Sequence, residues 1–181
     1  MMGQSNSAPE IWRKGMKIIG IDASSNKTGI AVFEDNKYIA HTLIDLHKIK
    51  DADVRIPKMM VEICKHIKMH MPDKIIMEKS ILKSNIATVQ MLSNLAGAVM
   101  LYAATKGIKL EFVYPSEWRR KIGLSQSTKI KREVLKEEAI RAVKQEYSID
   151  VTDDEAEAIL IARSGFDLPQ LIVDIDDLLI I

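Results

Sequence analysis

Apolar residues along the chain recur with two different periods. Lys17 to Asp22 (KIIGID) is a short β-branched run, the turn residues ASSNK separate it from TGIAVFE, and EDNK separates that from YIAHTLIDL. This pattern predicts three strands joined by hairpins. From Arg55 to Met71 the apolar positions return at helical spacing until Pro72 stops them, and DKIIMEKS beyond it is again strand-like. Ile86 to Lys106 predicts a long helix rich in Ala, Gly and Met, closed by Gly107, and KLEFVYP supplies a fifth strand. Two more helices are predicted, over Thr128 to Tyr147 and over Asp153 to Arg163. The order is β-β-β-α-β-α-β-α-α. Hairpin strands run antiparallel and helix-separated strands run parallel, so the expected fold is an α/β domain with a mixed sheet flanked by helices.

Length changes the picture little: 181 residues suit one domain with a real core. Its body is expected over residues 16–165, with an N-terminal extension over 1–15. The tail over 166–181 (LPQLIVDIDDLLII within it) either docks on the domain or lies in a subunit contact. A hydrophobic fraction of 47% and a charged fraction of 28% are those of a globular chain. No continuous apolar run approaches the eighteen or so residues of a membrane helix. The start, MMGQSNSAPEIWRKG, is polar where an export signal would be apolar, so the chain is expected in the cytoplasm. The single cysteine, Cys64, sits in an apolar helical pattern and reads as an inert buried thiol. His66 and His70, four apart, read as a helix surface pair without the further ligands a zinc site needs.

Charge is more informative than its net value of +1. Between Trp118 and Lys136 stand seven bases, Arg119, Arg120, Lys121, Lys129, Lys131, Arg132 and Lys136, against one acid, Glu133. From Asp150 onward there are nine acids and one base, Arg163. A basic stretch beside an acidic cluster suits a polyanion that is gripped and also brought to metal ions. Within the acidic part, DDEAEA opens a predicted helix. Thr152 and Glu155 fit a capping box, and Asp153 and Asp154 favour the positive end of the helix dipole. Glu157 lies beyond the first turn among Ala156, Ala158, Ile159, Leu160 and Ile161, where a carboxylate needs a cation. Asp154, three residues earlier, shares its face.

Two other acids interrupt apolar runs in the same way. Asp22 closes KIIGID and Glu78 closes KIIMEK, each at the C-terminal end of a strand, where sites form in α/β sheets. Carboxylates without His or Cys partners select hard ions, Mg²⁺ or Mn²⁺. Two such ions about 4 Å apart serve phosphodiester hydrolysis.

These segments together resemble a known family. IIGIDASSNKTGIAV, IIMEKSI, GAVMLYAATKGI, FVYPSEWRRKIG and TDDEAEAILIA follow the order and approximate spacing of the RuvC-like Holliday junction resolvases, members of the RNase H-like nuclease superfamily. The resemblance covers about Lys17 to Arg163. It implies an RNase H-like five-stranded mixed sheet, a homodimer, and two-metal cleavage of branched DNA. It matches Asp22, Glu78, Asp154 and Glu157 to metal-binding catalytic acids, with Asp153 an alternate for Asp154. GLSQSTKIKREV is similar to a segment leading to an active-site lysine, here Lys129 or, alternatively, Lys131. The loop KSILKSN, with Ile81 and Lys83, resembles a DNA-reading loop; Ile81 stands where an aromatic can stack on a base, so weak sequence preference is expected. Arg119, Arg120, Lys121, Lys131 and Arg132 are expected on DNA phosphates. Glu157 departs from the family's usual Asp by one methylene.

Rival readings remain at this level. A flap or fork endonuclease and a hybrid-cutting RNase H share the acids, and a non-catalytic DNA-binding member would keep the fold alone. An actin-like ATPase needs a second duplicated domain and the phosphate-cradling glycines that DASSNKTG lacks.

Overall fold

Alternation along the strands decides which way every functional side chain faces. The structure is a computed structural model that describes residues 15–79, 86–127 and 129–171. Its strands are β1 (Lys17–Asp22), β2 (Lys27–Glu34), β3 (Lys37–Asp45), β4 (Lys74–Glu78) and β5 (Lys109–Val113). Its helices are α1 (Ala52–His70), α2 (Ile86–Lys106), α3 (Pro115–Lys121), α4 (Arg132–Tyr147) and α5 (Asp153–Arg163). They form one five-stranded sheet of order β3-β2-β1-β4-β5, with β1–β2 and β2–β3 antiparallel and β1–β4 and β4–β5 parallel. This is the mixed α/β sheet that the hydrophobic pattern predicts.

Each face of the sheet carries its own core. Ile19, Ile21, Ile30, Val32, Ile75 and Met77 pack under α1 and α2 with Met59, Ile63, Ile67, Leu95 and Val99. Ile18, Ala31, Phe33 and Ile76 pack on the other side with Trp118, Ala139, Val143 and the apolar residues of α5. Because side chains alternate between faces, Asp22 shares a face with Ile18, and Glu78 shares it with Ile76. Both acids therefore leave the sheet on the α5 side. Ile21 pairs with Met77, so the next residue on each strand, Asp22 and Glu78, end neighbouring strands side by side.

Two glycines let α5 lie directly on that face. A Cβ at Gly20 would stand 2.3 Å from the Ala158 carbonyl oxygen and 2.4 Å from the Ala162 nitrogen. At Gly29 it would stand 2.0 Å from the Asp154 carbonyl oxygen. Gly29 pairs with Asp22 across β1 and β2, so the first turn of α5 is seated beside the end of β1.

Three boundaries depart from the sequence reading. Helix α1 begins at Ala52 rather than Arg55, because Asp51 caps it by accepting from the Asp53 N–H at 2.9 Å, and Pro57 is carried inside. Helix α4 begins at Arg132 rather than Thr128, with Lys131 as its N-cap residue. Helix α3 is unanticipated: β5 ends at Val113, Pro115 takes the first turn, and Glu117 returns to accept from the Tyr114 N–H at 2.8 Å. The membrane expectation also needs correction. By length and composition α2 does pass as a membrane-crossing helix. Within the fold its Leu95, Val99 and Ala103 are core residues. Of the tail, the described part docks: Phe166 and Leu171 join the α5-side core, and the Leu171 N–H donates to the Ile122 carbonyl at 2.7 Å.

Candidate active site

The capped start of α5 has the expected construction. Thr152 Oγ1 accepts from the Glu155 N–H at 3.4 Å, and Glu155 Oε2 accepts from the Thr152 N–H at 2.9 Å. With the cap occupying Glu155, Asp154 and Glu157 are left on the face toward the strand ends. Their fields reach Asp22, as does that of Glu78. The structure thus brings Asp22, Glu78, Asp154 and Glu157 into one electrostatic cluster.

The cluster holds its protons tightly. Burial lifts Asp22 well above the ordinary carboxylate range, and Glu157, Glu78 and Asp154 push it further, with Arg132 opposing. Burial lifts Glu78 to about 7, against the Trp118 hydrogen bond and with help from Glu157. Burial also raises Asp154, reinforced by Asp153, and raises Glu157 against the pull of Arg119, Lys136 and Arg132. Arg132, the first residue of α4, favours the ionised form of all four.

Asp153 behaves differently. Burial would raise it, but the ammonium of Lys136 bonds it and holds it below the ordinary value. That ion pair occupies the residue weighed as an alternate ligand. Lys129 lies exposed on the turn before α4, its N–H donating to Ser127 Oγ at 3.2 Å, and Lys131 is also exposed. Ile81 and Lys83 lie outside the described residues.

Arg119 requires a correction. Expected on DNA phosphates, it is 3% exposed and committed to the interior. Its Nε donates to the Ser125 carbonyl at 2.6 Å, and its Nη2 to the Leu135 carbonyl at 3.0 Å and Glu138 Oε2 at 2.5 Å. A guanidinium spent in this way has little left for solvent-side phosphate. Arg120 and Lys121 stay exposed on the same short helix. Sequence reasoning also missed Trp118, whose Nε1 donates to Glu78 Oε2 at 2.8 Å. The one signal for it was a tryptophan in the otherwise polar run SEWRRK; nothing in EEAIRAV marks Glu138. An open cleft of about 590 Å³ runs from Asp153 and Asp154 along the β1–β2 turn to Lys27, His47 and Lys50, also unforeseen.

Four carboxylates without imidazole or thiolate form a donor set for a hard divalent ion. Among the described residues no three such groups already stand in ligating arrangement.

The family model for crossover junction endodeoxyribonuclease RuvC matches residues 18–162. The chain belongs to the RuvC family. The RuvC of Nocardioides sp. is 27% identical over 107 residues, 56% of this chain and 60% of that protein. The chain thus aligns with less than two thirds of that relative's length. The RuvC of Thermotoga petrophila is 26% identical over 151 residues, 81% of this chain and 90% of that protein. Among solved structures, Thermus thermophilus RuvC in complex with a Holliday junction substrate superimposes with a TM-score of 0.66 at 16% identity, covering 82% of this chain and 91% of that one. At that identity the RuvC likeness shows the fold.

The RuvC-family acids carry a pH signature. Glu78 moves from an ordinary 4.5 to about 7 in the folded chain, so below about pH 4.5 its proton is bound in both states and the full stabilising difference is present. As pH rises through 7 the folded carboxyl must ionise, and that stability is lost. Asp22, Asp154 and Glu157, also raised, act in the same sense. His70, held low by burial, opposes them in part of the window. Melting without divalent ions is expected to shift down between about pH 5 and pH 8, and Glu78→Gln to flatten the slope. Equal slopes in the two proteins would show that Glu78 is not held protonated.

Proposed function

We propose that the chain is a metal-dependent, structure-selective endodeoxyribonuclease that cuts Holliday junctions and related branched DNA with weak sequence preference. The observation that carries the reading is the convergence of Asp22, Glu78, Asp154 and Glu157 at the β1–β4–α5 edge of a RuvC-family chain. These four would hold Mg²⁺, or Mn²⁺ in its place, two ions per site. Bound there, such ions supply Lewis-acid activation of water and stabilisation of the leaving oxygen. The chain's own part is to hold the acids half-buried at the ends of β1 and β4 and the start of α5, and to keep the positive charge of Arg132 within electrostatic reach of them. Lys129 is the proposed catalytic lysine on the turn before α4.

Exposed Arg120, Lys121, Lys131 and Arg132 form the proposed phosphate track, to which Ile81 and Lys83, in the sequence KSILKSN, are proposed to add DNA contacts. A branched substrate presents two strands, which fits a homodimer with two sites. Helix α2 supports this: it touches the core through Leu95, Val99 and Ala103, while Met100 and Leu101 are 53% and 68% exposed, apolar surface suited to a second copy.

The test is a cleavage panel of four-way junction, flap, fork and RNA–DNA hybrid at matched concentration with Mg²⁺. The junction should be cut fastest, at several positions near a mobile crossover. Faster cutting of the hybrid or the flap would replace the resolvase reading with the corresponding nuclease. On the same substrates Arg120→Ala, Lys121→Ala and Lys131→Ala should each flatten the salt dependence of binding by nearly one unit. Unchanged slopes would remove these residues from the track.

A further inference from the structure

Trp118 and Arg119 are consecutive residues of α3, both buried, and they reach two different acids. The Trp118 indole donates to Glu78 Oε2 at 2.8 Å, while Arg119 Nη1 stands 3.9 Å from Glu157 Oε1. Glu78 ends a strand and Glu157 belongs to α5, so α3 bridges two separate elements of the cluster. The two side chains also support each other, with the guanidinium carbon 5.1 Å from the centre of the indole ring. Arg119 is itself pinned. Its Nε and Nη2 are taken by Ser125, Leu135 and Glu138, and Glu138 Oε1 accepts the Ser125 N–H at 2.9 Å. The edge left toward the acids is Nη1.

We propose that Trp118 and Arg119 are positioning residues that set where the Glu78 and Glu157 carboxylates stand, with Glu138 fixing Arg119, so that α3 is a strut across the active site. The inference rests on the nuclease reading and deepens it. A glutamate has three side-chain torsions to order before it can serve as a ligand. The indole N–H removes that freedom from Glu78 while leaving its charge in place, since indole does not titrate as an acid near neutrality. It holds Oε2, which leaves Oε1 to face an incoming ion. Arg119, at 3.9 Å, attracts Glu157 from a longer distance than a normal hydrogen bond, so this carboxylate can still turn toward the cluster. Groups that orient ligands in this manner typically change metal affinity or activity 10–100-fold when lost.

The rival role is packing, because Trp118 also belongs to the α5-side core. Two variants separate the roles: Trp118→Phe keeps an aromatic ring and loses the N–H, and Glu138→Gln keeps its shape and frees Arg119. Each is assayed below its melting temperature, by calorimetric Mn²⁺ titration without DNA, by gel binding of a four-way junction, and by cleavage kinetics. Mn²⁺ affinity and kcat should fall about 10–100-fold, with junction binding and KM within about twofold. Arg119→Lys, which keeps the charge without the fork, should lie between them and the wild type. Variants that melt earlier but keep wild-type Mn²⁺ affinity and kcat overturn the proposal and leave packing. If Trp118→Phe does not fold, Glu138→Gln decides alone by the same readouts. A wild-type protein that takes up no Mn²⁺ overturns the nuclease reading and this inference with it; uptake equal in wild type and variants overturns this inference only.

Discussion

Asp22→Asn, Glu78→Gln and Glu157→Gln are each expected to lower junction cleavage at least about a thousandfold, a loss of about 4 kcal/mol of transition-state stabilisation. Each exchange removes one carboxylate of the proposed metal site and almost no volume, so the core on either face of the sheet is untouched. Folding should move the other way. The wild-type chain buries carboxylates that repel one another, and an amide relieves both burdens, so without divalent ions the variants should melt higher than the wild type above about pH 7. Junction binding without divalent ions should stay within a few-fold. Single-turnover cleavage together with melting curves checks both halves. A variant that keeps more than about a tenth of the wild-type rate removes its residue from the site.

The second large effect is on stability. Glu138→Ala should destabilise the fold by about 3–5 kcal/mol, because it removes the nearer of the two counter-charges of a buried Arg119 and leaves only Glu157, at 3.9 Å. Both partners are nearly inaccessible, Arg119 at 3% and Glu138 at 2% exposure, and together they tie α3, the segment after it and α4. An exposed pair such as Lys144 with Asp150 would change stability by less than about 1 kcal/mol. The double exchange Arg119→Met with Glu138→Leu should recover much of the loss, since it removes both charges at once. Urea midpoints at unchanged slope measure this. A Glu138→Ala loss under about 1 kcal/mol would mean that the pair is relaxed into water.

What the sequence revealed follows from period. Short apolar runs located the strands and put Asp22 and Glu78 each at a strand's C-terminal end, and helical spacing put Asp154 and Glu157 on one face. The capping box at Thr152 and Glu155 was legible because its chemistry is local. Arg119 was misread because a base in a basic run looks solvated; its partner Glu138 lies nineteen positions away on another helix, and pairing across elements leaves no periodic trace. Trp118 was passed over for the same reason, since its bond to Glu78 spans forty positions. Helix α3 was missed because seven residues are too few to show a period. The cleft at Lys27 and Lys50 arises from two turns meeting, which only the folded chain displays.

The glycines beneath α5 also bear on repair by second-site mutation. A side chain introduced at position 29 would meet the carbonyl of Asp154, and one at position 20 would meet a carbonyl and an amide nitrogen of the same helix. Overcrowding against a neighbouring side chain can be relieved by shrinking that neighbour. Here the obstacle is main chain, which every amino acid carries, so no substitution at 154, 158 or 162 can make room. A suppressor of Gly29→Ala would have to shift the whole of α5, and with it two of the four acids, which leaves reversion as the one-step route back.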